Sequence, residues 1–447
     1  MRYVIIGAGP AGVTAAETLR GEDPNGEIIL VGEEPEPPYS RMAIPYLLVE
    51  KIGEAGTYLR KQDDFYRSRA IELVQQRVTA LDTAAQGLSL ADGSTLAYDR
   101  LLIATGATPV RPPIDGIDSP QVSTCWTLAD ARRIVESAQP GSEVVLMGAG
   151  FIGCIILEAL AMREVKLTVV EMGDRMVPRM MNDKAGNLIK QWCINKGVQV
   201  LTSAQVTAIR APQAAANNGG GLMGGIKKLF GGGENAAEPA GKVTVELKSG
   251  EKIAADLVIS ATGVRSNLAF LQGSGIDTEQ GIKVDRQLRT SADNVWAAGD
   301  VAQGRDFSTG DYQVQAIQPT SVEHGKIAAL NMAGASVEHR GSINMNVLDT
   351  LGLISSSFGL WMGVEDGDSV ERYWPEAFRY ICLQFRGDVL VGASCVGMTQ
   401  HIGVLRGLIQ TETPLGAWKQ KLMEDPTRVM EAYLASAQGA TLVGSRA

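Results

Sequence analysis

Short, uninterrupted apolar runs alternate along this chain with longer segments whose apolar residues recur at helical spacing. Two such runs, residues 4–6 and 144–147, lead directly into glycine-rich turns, and each turn is followed by a helical pattern. The next runs, residues 28–31 and 167–170, end at acidic residues. Apolar runs of this length between helices are typical of parallel strands buried on both faces. The pattern predicts an α/β fold with two parallel sheets, each wound with helices.

Both glycine-rich turns have the spacing G-x-G-x-x-G between a strand and a helix, which is the context a dinucleotide-binding turn requires. The first glycine permits the tight turn, the second lets the backbone approach a pyrophosphate, and the third lets helix pack on strand. The helix N-terminus adds free N–H groups and partial positive charge. We therefore predict two dinucleotide sites on one polypeptide. Their turn residues are Gly7, Gly9, Pro10, Ala11 and Gly12 in the first and Gly148, Gly150, Phe151, Ile152 and Gly153 in the second.

Acidic residues follow both turns at the expected distance. Glu33 and Glu34 end the strand after the first turn, and Glu171 ends the strand after the second. A carboxylate roughly 20 residues beyond the glycines accepts hydrogen bonds from an adenosine ribose. Glu171 would repel a 2′-phosphate, and the nearest arginine after it is Arg175. The second site is therefore predicted to prefer NADH over NADPH; the alternative for the whole pattern is two ordinary turns with solvated acids.

Three shorter signals follow the turns. Strand-like segments at 99–103 and 256–260 both close on Ala-Thr-Gly, which indicates an internal repeat of whole domains. A third strand, residues 294–298, closes on Gly-Asp, and a helical pattern follows over 322–334. An aspartate there is placed to bind ribityl or ribose hydroxyls near a helix N-terminus. The residues singled out by these signals are Ala104, Thr105, Gly106, Gly263, Gly299 and Asp300.

Length and composition fit a multidomain enzyme. The chain has 447 residues, 45% of them hydrophobic, which suits about three domains of ordinary size. No apolar run approaches the roughly 18 residues of a membrane span. The first strand begins almost at residue 1 and leaves no room for a leader, so we expect a cytoplasmic protein. The net charge of −9 argues against nucleic-acid binding.

Cysteines and histidines are scattered, so no metal site is expected. The five cysteines show no C-x-x-C and no metal-ligand spacing, and reduced, packed thiols are the expected state. Of the three histidines, His324 alone lies near a motif, and we expect it on a helix surface. The cysteines are Cys125, Cys154, Cys193, Cys382 and Cys395.

The ordered set of five motifs resembles that of the two-dinucleotide-fold flavoproteins, the pyridine nucleotide-disulfide oxidoreductase superfamily, over roughly residues 1–335. The resemblance implies that the first turn holds FAD and the second holds the nicotinamide nucleotide. It also implies that the Ala-Thr-Gly segments mark crossings between domains. Carried over by position, the FAD site comprises Gly7, Gly9, Gly12, Glu33, Arg41, Ala104, Thr105, Gly106 and Asp300, and the nicotinamide site comprises Gly148, Gly150, Gly153 and Glu171.

The segment after Glu33 and Glu34, residues 37–48, departs from the disulfide reductases because it contains no cysteine. Met42 stands where single-cysteine relatives have their thiol, and a thioether forms neither thiolate nor disulfide. The Pro-Tyr-Ser-Arg stretch, which contains Arg41, instead resembles that of NADH-dependent ferredoxin and rubredoxin reductases and of the flavin half of assimilatory nitrite reductase. That resemblance implies hydride transfer from NADH to FAD and onward transfer to an electron-carrier protein.

Two departures from those reductases lie close to the expected flavin. Tyr46 occupies a position where they commonly have lysine, and Ile155 replaces a glutamate after the second turn. Phe151 is a candidate cover between flavin and nicotinamide, with core packing as the alternative. Tyr46 and Phe151 are therefore candidates near the flavin, and no catalytic residue is assigned. The alternative functions are an NADH oxidase or quinone-reducing diaphorase, and a non-catalytic flavoprotein subunit of a larger complex.

The predicted organisation has three domains. A discontinuous FAD-binding domain covers 1–113 and 264–334, an NAD(P)H-binding domain covers 114–263, and a small α+β domain covers 335–447. A glycine-rich insertion at 211–241 interrupts a predicted hairpin and is read as a tolerated loop, with docking of a partner or membrane surface as the alternative. By resemblance the C-terminal domain forms a dimer interface in some relatives, and its Trp361 and Trp374 are expected to pack rather than conduct electrons.

Overall fold

The computed structural model describes residues 1–211 and 241–444, with side chains described to residue 436. The elements up to the first Ala-Thr-Gly and its following strand are β1 (Arg2–Ile6), α1 (Pro10–Glu22), β2 (Glu27–Gly32), α2 (Ile44–Leu48), α3 (Phe65–Ser68), β3 (Ile71–Gln75), β4 (Val78–Asp82), β5 (Gly87–Leu90), β6 (Thr95–Ala97), β7 (Arg100–Ile103) and β8 (Ala107–Pro109). The middle of the chain contains β9 (Val122–Ser123), α4 (Leu128–Ser137), β10 (Glu143–Met147), α5 (Phe151–Met162), β11 (Lys166–Val170), α6 (Asp183–Asn195), β12 (Gln199–Leu201), β13 (Val206–Arg210), β14 (Val243–Leu247), β15 (Lys252–Ala255) and β16 (Leu257–Ser260).

The remaining elements follow the second Ala-Thr-Gly. The first group is β17 (Val264–Ser266), β18 (Ile282–Lys283), β19 (Val295–Ala297), β20 (Ala302–Arg305), β21 (Tyr312–Val314) and α7 (Gln318–Met332). The last group is β22 (Met345–Thr350), β23 (Leu353–Gly359), β24 (Asp368–Trp374), β25 (Arg379–Arg386), β26 (Val389–Val396), α8 (Ile402–Gln410), α9 (Ala417–Glu424) and α10 (Val429–Gly444). Short 3₁₀ turns lie at Arg41–Ala43, Glu54–Thr57, Ala269–Leu271, Gly299–Val301 and Pro375–Ala377.

The first sheet is parallel, with the strand order β19-β7-β1-β2-β3. Its edge strand β19 arrives from almost 200 residues further along the chain, so this sheet is discontinuous in sequence. Its central strands are apolar on both faces because α1 and α7 cover one side and the β4-β5-β6 meander packs nearby. Leu101 and Leu102 are fully buried, and burial of each such side chain stabilises the fold by about 1.5–3 kcal/mol.

The second sheet repeats the first. Its order is β12-β11-β10-β16-β9, also parallel, and a three-stranded antiparallel meander, β13-β14-β15, takes the place of β4-β5-β6. The carboxyl ends of β1 and β10 carry the two glycine turns in equivalent positions. The predicted α/β fold with two Rossmann-like domains is therefore confirmed, and so is the repeat.

A two-stranded antiparallel ribbon lies where the chain passes between the two Rossmann-like domains. Strands β8 and β17, which each follow one Ala-Thr-Gly segment, pair from Ala107 with Ser266 to Pro109 with Val264. Both segments thus lie at the crossing that the resemblance implied. The predicted hairpin is also present, since β13 and β14 pair antiparallel on either side of the insertion; residues 212–240 of that insertion lie outside the described residues.

The C-terminal domain is a five-stranded antiparallel sheet, β22-β23-β26-β25-β24, with α8, α9 and α10 on one face. The other face packs against α2, α5 and α6 in a shared apolar cluster. Trp361 is buried as expected, whereas Trp374 is partly exposed and lies beside Arg379. Among the described residues no helix is both long and apolar enough to cross a bilayer.

Candidate functional site

The first glycine turn is built from close backbone contacts. Gly7 has φ +111°, and a Cβ there would collide with the carbonyl of Ala104; a Cβ on Gly12 would collide with the carbonyl of Gly7. Gly9 differs, because a Cβ there would meet nothing within 4 Å. Pro10 begins α1, where its missing N–H costs nothing. Gly7 and Gly12 are therefore required for close backbone packing, whereas the open space at Gly9 would let a pyrophosphate approach the backbone.

The two acids after the first turn do different things. Glu33 lines a cavity of about 610 Å³ together with Gly7 and Thr105, and its side chain is 62% exposed. Glu34 instead pairs with Arg41 at 2.7 Å and accepts a hydrogen bond from the Tyr39 hydroxyl at 2.5 Å. Of the two acids, only Glu33 is free to meet a ligand in the cavity.

Arg41, expected in the flavin site, is largely occupied by protein groups. Besides its pair with Glu34, its guanidinium donates to the carbonyl of Trp126 at 2.6 Å. The Tyr39 hydroxyl accepts from the backbone N–H of Leu128, at the start of α4, at 3.3 Å. Burial raises the pKa of the Tyr39 hydroxyl above its ordinary value. This network joins the segment after Glu34 to residues 126–128, at the start of α4.

The Gly-Asp strand end lies against the first turn. A Cβ on Gly299 would lie 3.3 Å from the Cβ of Ala11, and Asp300 accepts a hydrogen bond from the Ser321 hydroxyl at 3.1 Å. Burial raises the pKa of the Asp300 carboxyl, opposed by the Ser321 hydrogen bond. Because Ala11 lies in the first turn of α1 and Ser321 near the start of α7, the Asp300 carboxyl lies near the N-termini of both helices. The helix itself begins at Gln318, four residues before the predicted start, since Pro319 is tolerated in a first turn.

The second turn repeats the first. Gly148 has φ +97°, and a Cβ there would lie 2.6 Å from the Ala261 carbonyl; Gly153 packs on the carbonyl of Gly148. Gly150 is open, as is Gly263 with φ +119°. These four glycines thus divide into two packing positions and two facing open space.

Glu171, the acid after the second turn, is held by backbone amides. Its carboxylate accepts from the N–H of Ala149 at 2.6 Å and from the N–H of Gly173 at 2.6 Å. These bonds fix the carboxylate beside the turn and leave its remaining lone pairs for a ribose. Arg175 nearby is occupied by Asp174 and Asp183, at 2.7 and 2.8 Å.

The candidates near the expected flavin lie around the contact between α2 and α5. Phe151 and Ile152 open α5 and are half-buried against the apolar cluster, as is Ile155. Tyr46, on α2, is 55% exposed. Met42, at the position of the absent thiol, is 46% exposed. No described contact joins Tyr46 to Phe151, and their roles stay predictions.

The cysteines are packed thiols in this structure, as the spacing suggested. Cys125 is half-buried, and the others are buried. Burial raises the pKa of Cys125, Cys193 and Cys395 to about 12, and that of Cys154 well above its ordinary value. Within residues 1–211 and 241–444, no three histidine, cysteine or acidic side chains cluster as metal ligands.

The expectation for His324 was wrong. Its side chain is 3% exposed, edge to face with His339 at 4.6 Å and 3.4 Å from the Ser342 hydroxyl. Burial, with the neighbouring His339, lowers its pKa to about 3. Helix α7 is covered on one side by α1 and on another by the segment 339–342, so its polar residues are not all at the surface.

Each of the two parallel sheets carries a glycine turn and an acid after the neighbouring strand, and the β8–β17 ribbon joins the two domains. These features define a two-dinucleotide-domain oxidoreductase. The chain belongs to the pyridine nucleotide-disulphide oxidoreductase family, whose model matches residues 1–325. The family and its members imply a flavin and NAD(H) as cofactors. The open glycines Gly9 and Gly150 and the acids Glu33 and Glu171 fit two such groups.

Known relatives cover nearly the whole chain. It is 30% identical over 431 residues to the epsilon subunit of an NADH-dependent phenylglyoxylate dehydrogenase from Aromatoleum evansii, covering 96% of each. It is 31% identical over 445 residues to the ferredoxin–NAD(+) reductase component of an anthranilate 1,2-dioxygenase system from Burkholderia cepacia, covering 97% of this chain and 99% of the relative. A solved putidaredoxin reductase–putidaredoxin complex has the same fold, with a TM-score of 0.85 at 22% identity over 98% of this chain and 99% of that one.

Proposed function

We propose that this chain binds FAD at the first turn and NADH at the second, and passes electrons from NADH to an electron-carrier protein. Ferredoxin, rubredoxin or an iron–sulphur subunit of a complex is the expected acceptor. The observation that carries the proposal is the repeated pairing of an open middle glycine with an acid on the next strand, at Gly9 with Glu33 and Gly150 with Glu171. The proposed FAD-binding domain covers residues 1–113 and 264–334, the proposed NADH-binding domain covers 114–263, and the C-terminal domain covers 335–447.

The residues around the first turn would hold FAD by backbone amides, hydroxyl-binding carboxylates and helix N-termini. When bound, FAD accepts a hydride from NADH and releases electrons singly to one-electron carriers. The chain supplies position and electrostatics around it. Asp300 keeps a carboxyl beside Gly299 and the N-terminus of α7. The proposed FAD residues are Gly7, Gly9, Pro10, Ala11, Gly12, Glu33, Ala104, Thr105, Gly106, Gly299 and Asp300, while Glu34 and Arg41 would support the site from their network.

The preference for NADH over NADPH rests on charge. A 2′-phosphate would face the Glu171 carboxylate, whose position is fixed by two amides. Arg175 does not offset that charge, because Asp174 and Asp183 already pair with it. Repulsion between like charges in a partly buried site favours the ribose with a free 2′-hydroxyl.

The acceptor is proposed to be external because residues 1–211 and 241–444 offer no accessible thiol beside the first site. Met42 replaces the expected cysteine, and burial holds the described cysteines in their thiol form. The name of the Burkholderia relative supports a ferredoxin-like acceptor. The name of the Aromatoleum relative supports the second candidate, a flavin subunit within a larger NADH-dependent dehydrogenase.

The test is an anaerobic titration of the flavin-loaded protein with NADH, followed by mixing with ferredoxin, rubredoxin, quinone and oxygen in turn. The proposal expects stoichiometric bleaching of the flavin by on the order of one NADH per flavin, with rapid reoxidation by an iron–sulphur carrier. Rapid reoxidation by oxygen or quinone alone would replace it with the oxidase or diaphorase function. A flavin that NADH does not bleach would refute the NADH-oxidising role. Gly150→Ala is the matched variant, which should bind FAD but respond to NADH only at higher concentration.

A further inference from the structure

The chain between β2 and α3 folds into a strap on the first Rossmann-like domain, defined here as residues 34–60. Its two arms pair, since the N–H of Ser40 donates to the Thr57 carbonyl at 2.9 Å. Two contacts anchor the strap on helices of that domain. Arg60 pairs with Glu17 of α1, and the Ser40 hydroxyl donates to the first side chain of α7 at 2.6 Å. The strap is therefore a fixed part of the first domain.

The strap presents two carboxylates to α4 of the second Rossmann-like domain. Glu36 lies between Pro35 and Pro37, whose rings fix φ and stiffen the chain. Glu54 opens a 3₁₀ turn, and the Thr57 hydroxyl donates to the Glu54 carbonyl at 2.6 Å. Both acids are carried by backbone of restricted conformation, so they offer acceptor oxygens at fixed positions.

Arg132 of α4 binds both carboxylates. Its Nε and Nη2 donate to the two oxygens of Glu54, each at 2.7 Å, and its Nη1 donates to Glu36 at 2.7 Å. The Glu36 side chain is only 10% exposed, so this bond is largely shielded from solvent. The hydrogen bonds from Arg132 lower the pKa of the Glu54 carboxyl, which keeps that group ionised at neutral pH. A bidentate guanidinium with a third bond fixes direction as well as distance.

Helix α4 is a rigid part of the second Rossmann-like domain. A capping box between Thr127 and Asp130 fixes its start. Its buried residues Leu128, Ala131 and Ile134 pack in the same apolar cluster as β10 and α5. Because α5 follows the second glycine turn, a fixed orientation of α4 is also a fixed orientation of the proposed NADH site.

The other ties between the two domains leave room for rotation. The β8–β17 ribbon has three residues in each strand, and the packing of α2 in the apolar cluster is non-directional. Arg41 and Tyr39 make hydrogen bonds to residues 126–128, at the start of α4. Arg132 lies one turn further along the helix. It therefore provides a second point of directional contact, and two such points hold the helix at one angle where a single point would allow it to pivot.

We propose that Arg132 is a positioning residue: by binding Glu36 and Glu54 it sets the angle between the two Rossmann-like domains and so the approach of NADH to the flavin. The inference rests on the proposed function, because it takes FAD and NADH as the occupants of the two sites. Hydride transfer depends steeply on geometry, and a displacement of about 1 Å can cost on the order of 100-fold in rate. In this role Arg132 acts through α4.

The first measurement is the anaerobic reduction of the FAD-loaded full-length protein by NADH, followed by stopped flow. Arg132→Ala is expected to lower the limiting rate of flavin bleaching at saturating NADH about tenfold, while the Kd of FAD changes less than about twofold. Glu54→Gln should also slow this step, and the double variant should be no slower than Arg132→Ala, because both changes remove one contact. Equal limiting rates in wild type and Arg132→Ala, or additive losses in the double variant, would overturn the proposal.

The second measurement needs no bound cofactor. Hydrogen–deuterium exchange in the flavin-free protein should be faster at residues 54–57 for Arg132→Ala than for wild type. Lys242→Ala is the matched control, because Lys242 also pairs with two acids, Glu143 and Asp256, at 2.9 and 3.3 Å, but all three belong to the second domain. It should keep the wild-type reduction rate and the wild-type exchange. A control variant as slow as Arg132→Ala would contradict the proposal, since the loss of any ion pair would then have the same effect.

The outcomes separate the role of Arg132 from the proposed function. A wild-type flavin that NADH does not bleach would refute the proposed function, and the positioning role with it. A wild type that is bleached, beside an Arg132→Ala variant with an unchanged rate, would refute the positioning role alone. Faster exchange without slower reduction would do the same, because the contact would then be structural only. Melting temperatures establish that each variant folds.

Discussion

Acidification is predicted to destabilise this protein through His324. The imidazole is buried in α7 against His339, and its pKa is lowered to about 3 in the folded protein from 6.5 in the free side chain. Other charged groups nearby are Glu323 on the same helix and Arg406 on α8. The neutral form is favoured by folding, so this stability is fully present above about pH 6.5 and is lost as the pH falls toward 3.

The expected size follows from the two pKa values. At pH 8 neither state of His324 binds a proton appreciably, whereas at pH 5 the unfolded chain is protonated and the folded protein is not. Because pH 5 lies about 1.5 units below the unfolded-state pKa, protonation stabilises the unfolded state over the folded state by about 2 kcal/mol. Stability should therefore fall by about 2 kcal/mol between pH 8 and pH 5 from this residue alone.

The assay compares urea unfolding of the wild type and His324→Gln at pH 8 and pH 5, monitored by tryptophan fluorescence. The variant should be less stable at pH 8 but should lose about 2 kcal/mol less than the wild type on acidification. His401→Gln, which alters the remaining histidine at the start of α8, should retain the wild-type pH dependence. Equal pH dependence in wild type and His324→Gln would refute the assignment.

Three further predictions concern the sites. Gly9→Ala should weaken FAD and Gly150→Ala should weaken NADH, each by tenfold or more in equilibrium titration, with melting temperatures near wild type because a Cβ at either position meets no protein atom within 4 Å. Glu171→Ala should reduce the NADH-to-NADPH ratio of kcat/KM about tenfold, because it removes the carboxylate that two amide N–H groups hold in place and that repels a 2′-phosphate; an unchanged ratio would contradict the charge argument. Iodoacetamide at pH 8 should leave Cys193 unlabelled by mass spectrometry and NADH oxidation unchanged, because that side chain is buried and burial raises the thiol's pKa to about 12.

The sequence predicted the features that depend on local backbone sterics and missed those that depend on sheet order. Gly7 and Gly148 are indicated by spacing because their positive φ and close carbonyl contacts leave room for no side chain. No sequence pattern indicates that Arg77 lies 3.7 Å from Glu33, because the two residues meet only where β3 pairs with β2. The burial of His324 likewise depends on the loop that carries His339. Local patterns specify turns; neighbours across a sheet or helix require the assembled fold.

The C-terminal domain bears on electron transfer through its attachment to the second Rossmann-like domain. Asn182, the N-cap of α6, donates to the Tyr380 hydroxyl at 2.5 Å, and the Trp192 indole donates to the Leu351 carbonyl at 3.2 Å. Trp192 also packs edge to face on Phe378 at 5.0 Å. Partly buried hydrogen bonds and aromatic packing at several points oppose sliding of one domain on the other. The second Rossmann-like domain and the C-terminal sheet are therefore expected to move as one body, and α2 of the first domain packs in the same apolar cluster.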